Sequence, residues 1–204
     1  MNHATSNSQE IEFTLERGVV LPRLVGDPDD FLIIAGLGGT ARDMATITDA
    51  GSNLFALGGA MGGATMMGLG LALAQPDRQV LTVTGDGELL MNLGALATIG
   101  VLNPPNYSII CVDNGRYGET GYQTSHTGRG VDLETVARGA GVTITTTVQR
   151  EDQLDEGAKV VRSTEGTSFV LLRVSEVESR PRKRDLDAAA CRVRFRDALQ
   201  AQPR

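Results

Sequence analysis

The chain has 204 residues, a formal net charge of −6, an apolar fraction of 41%, 25 glycines and no tryptophan, the profile of a globular α/β protein and not of a disordered one. No apolar run approaches the roughly 20 residues that span a bilayer, and the polar opening stretch lacks the basic start and apolar centre of a secretory leader, so no membrane contact is expected and cytoplasmic residence is the default. The acidic balance leaves nucleic acid no footprint, and the two cysteines, Cys111 and Cys191, lack metal or iron–sulfur spacing and read as buried or free thiols.

In chain order, residues 1–12 read as a loose arm, 13–25 as a short helix and 26–30, Gly-Asp-Pro-Asp-Asp, as a turn. A first strand over 31–35 leads through a glycine-rich loop to a helix over 40–47. A loop and short strand occupy 49–57, and 62–74 is a buried helix in which Met66 and Met67 read as packing residues. The β-branched and apolar run 80–84 is a strand that stops at Gly85. A helix over 89–101 ends at the breaker Asn103-Pro104-Pro105-Asn106, and a second apolar strand, 107–112, stops at Asp113. A polar loop over 115–130 precedes a helix over 132–140, a strand over 142–148, a helix over 153–162 and a strand over 168–174.

Alternation of this kind gives a doubly wound, mostly parallel α/β sheet with helices on both faces, and the length suits one domain. The division expected is an arm and short helix over 1–29, the α/β domain over 30–178, and a basic linker with a final helix over 179–204. Within the linker, Arg180-Pro181-Arg182-Lys183-Arg184 reads as a solvated segment, with a phosphate or partner contact as the alternative.

The most informative feature is Gly85-Asp86-Gly87 at the end of one apolar strand, with Asp113-Asn114 at the end of the next. Parallel strands present their carboxyl ends to the same edge of the sheet, where ligands of doubly wound folds bind, so Asp86 and Asn114 can converge on one cation. Carboxylate, amide and carbonyl oxygens suit a hard ion such as Mg²⁺. Gly85 and Gly87 permit a tight turn, and the helical stretch that follows offers backbone N–H groups to a phosphate.

Gly-Asp-Gly, 25 intervening residues (88–112) and Asp113-Asn114 resemble the signature with which thiamine diphosphate enzymes hold the Mg²⁺-diphosphate end of their cofactor. The stretches Gly58-Gly59-Ala60-Met61-Gly62, 66–74, 90–99, Asn114-Gly115-Arg116-Tyr117-Gly118 and 121–128 resemble the diphosphate-binding subunit of the sulfopyruvate decarboxylases and the related phosphonopyruvate decarboxylases. The resemblance implies a thiamine diphosphate-binding fold. It implies Asp86, Asn114 and the Arg116 carbonyl as Mg²⁺ ligands, with Gly85, Gly87, Glu88, Tyr117 and Gly118 around the diphosphate. It further implies Met61 as the wedge that bends the cofactor and Gly59 as the carbonyl that accepts its amino group. Family members also need a pyrimidine-binding domain that supplies a catalytic glutamate. At this length only one domain is present, so a separate alpha-type subunit, a hetero-oligomer and an active site at the subunit interface are expected, acting on a small anionic 2-oxoacid.

Individual residues keep competing readings. Asp86 or Asn114 alone is turn chemistry, and the pair is what points to a ligand site. Met61 is otherwise a core methionine filling a gap. His126 either manages a proton or contacts the substrate, or is a surface or structural histidine. Arg116 and Arg129 bind an anionic substrate end or are solvated. Glu88 stands where the family often has Ser; an ionised carboxylate cannot donate to a phosphate, so it is expected to turn away or to pair with a cation. A rival reading takes Gly36-Leu37-Gly38-Gly39-Thr40-Ala41 as a dinucleotide fingerprint, but no second strand with a terminal acid follows at the needed distance. Carboligation, 2-oxoacid oxidation and a non-catalytic cofactor-binding subunit are the remaining alternatives.

Overall fold

The computed structural model describes residues 13–177 and 187–200; the arm over 1–12 and the basic segment Arg180 to Arg184 lie outside them. In order the elements are α1 (Arg17–Val25), β1 (Phe31–Leu37), α2 (Gly39–Ile47), β2 (Leu54–Gly58), α3 (Ala64–Ala74), β3 (Gln79–Gly85), α4 (Asp86–Leu90), α5 (Gly94–Leu102), β4 (Tyr107–Asp113), β5 (Arg116–Tyr117), β6 (Gln123–Thr124), α6 (Leu133–Gly139), β7 (Ile144–Val148), α7 (Leu154–Val161), β8 (Ser168–Arg173) and α8 (Ala188–Gln200).

Six strands form one sheet in the order β2-β1-β3-β4-β8-β7, every pairing within it parallel. The four inner strands are buried on both faces, and each reads as an unbroken apolar run for that reason. Alternation along them divides the core into two layers. Phe31, Ile33, Leu81, Val83, Ile110 and Val170 face α1, α2 and α7, whereas Leu32, Ile34, Val80, Ile109 and Phe169 face α3, α5, α6 and α8. Cys111 and Cys191 are both buried, and neither takes part in a disulfide.

Helix α3 lies close against the sheet because Gly68 has no side chain: a Cβ there would meet Thr82 Oγ1 at 2.1 Å and Tyr107 Oη at 2.6 Å. Tyr107, wholly buried, donates its hydroxyl to the Thr65 carbonyl at 2.7 Å. Asn106 closes the end of the same helix through the carbonyls of Ala72, Gln75 and Arg78 at 2.9–3.0 Å.

Three expectations are corrected. The helix read over 89–101 is two helices, α4 starting already at Asp86, with a turn at residues 91–93. The turn lets the Asn92 side chain donate to the Gly62 carbonyl at 3.0 Å and press against that glycine. The polar loop is partly ordered, with a small antiparallel hairpin of β5 and β6 and single 3-10 turns at Gly118–Thr120 and Thr127–Arg129. Met66 and Met67 are not core packing: both lie exposed on α3, with Leu73 beside them and Met91 nearby in sequence after α4.

Candidate active site

In the sheet order, β1 and β3 are neighbours whose connections leave in opposite directions, which opens a crevice beyond their carboxyl ends. A cavity of about 330 Å³ lies there. Its walls come from the exit of β1 (Leu37, Gly38, Gly39, Thr40), the exit of β3 (Gly85, Asp86, Gly87, Glu88), the exit of β4 (Val112, Asn114) and the hairpin with its 3-10 turn (Arg116 to Thr120). Met61 enters from the loop before α3 and is about a third exposed. The register pairs Gly85 with Val112, so the residues that follow, Asp86 and Asp113-Asn114, leave the sheet side by side.

Asp86 is buried and held by hydroxyls. Ser125 Oγ donates to its Oδ2 at 2.5 Å, and Thr127 Oγ1 lies 3.0 Å from the same oxygen. Thr127 Oγ1 also stands 2.6 Å from Asp113 Oδ1 and 2.8 Å from Ser125 Oγ. A hydroxyl carries one proton, so the two hydroxyls cannot serve all four of these contacts while both carboxylates are ionised. The cluster therefore favours a proton, or an external cation, beside the pair. Burial raises the pKa of Asp86 against the lowering effect of Ser125 and Thr127. Burial first, and then the charge of Asp86, push Asp113 up to about 6, opposed by Thr127 and by the Gly115 N–H, which donates to it at 3.0 Å. Asp113 Oδ2 is buried without a hydrogen-bond partner, 3.9 Å from Arg173 Nε, and Arg173 is held by Asp132 at 3.1 Å.

Asp86, the Asn114 amide oxygen and the Arg116 backbone at one cavity wall, with the second carboxylate of Asp113 buried behind them, suit a hard divalent ion. Among the described residues no cluster of three or more His, Cys, Asp or Glu side chains forms a metal cage. Asn114 Oδ1 accepts the Arg116 N–H at 3.1 Å, a turn that aims the amide and the Arg116 backbone at the same wall. Tyr117 packs its ring on Gly87, where a Cβ would lie 2.6 Å from the ring carbon Cε1. Gly87 is therefore fixed by contact as well as by its turn.

Glu88 stands in the cavity wall but is 4% exposed, its carboxylate bonded into the protein. Oε2 accepts the Leu37 N–H at 3.3 Å and the Thr84 hydroxyl at 3.0 Å; Oε1 accepts the Ala64 N–H at 3.3 Å. Burial raises its pKa and these donors lower it. Among the described residues no cation pairs with it: its partners are backbone amides and a hydroxyl.

Other residues singled out from the sequence fall differently. Gly59 and His126 are exposed and lie outside the cavity lining; His126 Nδ1 is 3.5 Å from the Tyr117 hydroxyl. The Arg116 side chain is engaged by Glu176 at 2.7 Å and Thr124 at 2.6 Å. Arg129 is exposed beyond the lining.

Sequence reasoning passed over the opening turn of α2. Gly38, Gly39 and Thr40 line the cavity opposite α4, and the buried pair Arg17–Asp43 (2.6 Å) braces the turn, Arg17 packing on Gly39. Arg42 and Glu119 pair at 2.8 Å across the mouth. The glycine pattern 36–41 was the available signal, pointing to an anion-binding turn but not to its ligand. The hydroxyls of Ser125 and Thr127 had no signal beyond lying in a polar loop.

The family model described as "Thiamine pyrophosphate enzyme, C-terminal TPP binding domain" matches residues 38–172. The chain is 33% identical over 169 residues to the sulfopyruvate decarboxylase subunit beta of Methanocaldococcus jannaschii, covering 83% of this chain and 88% of that one. With the corresponding subunit of Methanothermobacter thermautotrophicus the identity is 39% over 130 residues, covering 64% and 69%. With phosphonopyruvate decarboxylase of Streptomyces viridochromogenes it is 35% over 159 residues, covering 78% of this chain but 39% of that protein. In fold, benzoylformate decarboxylase of Polynucleobacter necessarius superposes with a TM-score of 0.69 at 17% identity, over 88% of this chain and 36% of that one. With the strand-end acids, the glycine turns and the six-stranded parallel sheet in place, the chain belongs to the thiamine diphosphate enzymes, as their C-terminal-type cofactor-binding domain.

Proposed function

We propose that this chain is the diphosphate-binding subunit of a two-chain thiamine diphosphate-dependent 2-oxoacid decarboxylase of the sulfopyruvate or phosphonopyruvate type, releasing CO₂ and an aldehyde. The observation that carries this reading is the meeting of Asp86, Gly87, Asn114 and Arg116 at one cavity wall, in a chain that covers 88% of a decarboxylase beta subunit but only 39% of a single-chain decarboxylase.

Asp86, Asn114 and the Arg116 carbonyl are the Mg²⁺ ligands in this reading. The Gly87 and Glu88 backbone amides and the opening turn of α2 face the diphosphate. Gly85, Tyr117 and Gly118 complete that wall. Thiamine diphosphate, when bound, supplies the nucleophilic carbon and the ring that takes up the electrons released with CO₂. Met61 supports the cofactor between its two ends, and Gly59, exposed outside the lining, is assigned as the acceptor for its amino group. His126, beside Tyr117, is the candidate for holding a proton near the substrate.

The pyrimidine-binding alpha-type subunit, with its glutamate, docks on the side where Met61 is exposed. Support comes from Met66, Met67, Leu73 and Met91, apolar side chains left in the open on that part of the chain. No helix among the described residues is long and apolar enough to cross a membrane, and we place the complex in the cytoplasm.

Titration calorimetry of the co-purified complex with thiamine diphosphate, with and without Mg²⁺, tests the assignment. Wild type should bind only with Mg²⁺ and release CO₂ from sulfopyruvate or phosphonopyruvate, and Asp86→Ala should lose both. Retained affinity in Asp86→Ala would overturn the metal assignment, and absence of CO₂ release from either acid by loaded wild type would overturn the substrate class.

A further inference from the structure

Glu88 is a buried carboxylate with no charged partner among the described residues, and burying such a group is expensive unless its acceptor sites are filled. Here they are filled from three directions. Leu37, 51 positions away in sequence, is the last residue of β1 and directly precedes the α2 turn. Ala64, 24 positions away, is the first residue of α3 and directly follows the loop that carries Met61. Thr84 lies in β3 one residue before the Gly85-Asp86 turn. One side chain is thus bonded to each of the three segments that approach the cavity from β1, β3 and α3. Strand β1 makes room for it: a Cβ on Gly36 would fall 1.6 Å from Glu88 Oε2, so the carboxylate fits only against glycine. A packing role would be met equally by an apolar side chain, without buried charge.

We propose that Glu88 is a positioning residue whose carboxylate fixes the spacing of the α2 turn, the Asp86-Gly87 turn and the Met61 loop, so that the support under the cofactor is held in register with its diphosphate anchors. This role rests on the cofactor reading of the cavity. It makes Gly36 and Glu88 a matched pair, neither of which is explained without the other.

The test uses the co-purified complex in wild type, Glu88→Gln, Glu88→Ala and Gly36→Ala forms, with three readouts. Amide hydrogen exchange at Leu37 and Ala64 should accelerate at least about tenfold in Glu88→Ala, the equivalent of one lost bond to a charged acceptor, with Ile33 and Ile110 unchanged. Affinity for thiamine diphosphate with Mg²⁺ should fall by about tenfold or more, and kcat should fall while KM for the 2-oxoacid holds. Glu88→Gln, which keeps one acceptor oxygen and nearly the same shape, should fold and lie between wild type and Glu88→Ala. Gly36→Ala, which displaces the carboxylate without altering it, should reproduce the Glu88→Ala exchange pattern. Unchanged exchange at Leu37 and Ala64, or cofactor affinity and kcat in Glu88→Gln and Glu88→Ala within about twofold of wild type, would overturn the positioning role. Failure of wild type itself to bind thiamine diphosphate would refute the cofactor reading and with it the coupling, a result distinct from unchanged affinity in the variants.

Discussion

Replacing Thr127 with Val tests the acid cluster at its centre. Valine has nearly the shape of threonine, so no cavity opens, and what is lost is the hydroxyl 2.6 Å from Asp113 Oδ1 and 3.0 Å from Asp86 Oδ2. A hydrogen bond to a charged group contributes about 1.5–3 kcal/mol, and Asp113 already has one oxygen without a partner, so the loss should lie at the upper end, roughly 2–3 kcal/mol. In a domain of this size each kcal/mol moves Tm by about 2–4 °C, which gives a fall of roughly 4–12 °C at pH 8. The effect should shrink at pH 5, because Asp113, pushed up to about 6, is then largely protonated and no longer needs the donor. Thermal unfolding followed by circular dichroism at the two pH values reads both quantities. Thr120→Val, removing an exposed hydroxyl that donates to Gln123, serves as the control and should shift Tm by less than about 2 °C. A Thr127→Val protein within about 2 °C of wild type at both pH values would show that the network contributes nothing and that the proton counting is wrong.

Further outcomes follow from other contacts. The folded-state pKa of Asp113 lies above its ordinary 3.8, so the folded protein binds more protons between about pH 4 and 6 and loses stability as pH rises through that window. Denaturant unfolding of wild type against Asp113→Asn should show the variant gaining relative stability as pH rises from about 4 to 6 and keeping that gain above it, and a constant difference across the range would contradict the shift. Gly68→Ala drives a methyl into Thr82 and Tyr107 and should cost upwards of about 2 kcal/mol, visible as a lower urea midpoint; a neutral result would mean that α3 can step away from the sheet. Asp43→Ala leaves the buried Arg17 guanidinium unpaired and should destabilise by about 3–5 kcal/mol, whereas a loss under about 1 kcal/mol would mark the pair as solvated. Met61→Gly should lower turnover with little change in Mg²⁺-dependent cofactor affinity, and unchanged turnover would reduce Met61 to a packing residue.

What the sequence made legible was whatever depends on period and punctuation. The inner strands are buried on both faces and so appear as unbroken apolar runs, and those over 80–84 and 107–112 stop at glycine and at acid, which pointed to one sheet edge with Asp86 and Asn114 on it. What it concealed depends on contacts between distant segments. The break after α4 exists because Asn92 reaches Gly62, a partner 30 positions away. Helix α3 is apolar all round, so no periodicity could tell Met66 and Met67, on an open face, from Leu69 in the core. Ser125 and Thr127 look like any polar loop residues until the fold brings two carboxylates to them. Glu88 looked like an obstacle to an anion because its direction is set by Gly36, on a strand that the local sequence does not link to it.

The hairpin of β5 and β6 joins the rest of the protein at a narrow neck, where the Ser125 N–H meets the Gly115 carbonyl at 2.8 Å. Everything between those residues lies outside the six-stranded sheet and adds nothing to its apolar layers. Only the outer part of the hairpin, residues 119–124, is therefore a replaceable cassette: its length and side chains can drift without disturbing the core, while Arg116, Tyr117 and Gly118 at its base stay part of the cavity wall and the hydroxyls anchored just past the neck keep the two carboxylates in place. Divergence at the cavity mouth then requires no more than exchange of a loop tip, and the wall beneath it is inherited unchanged.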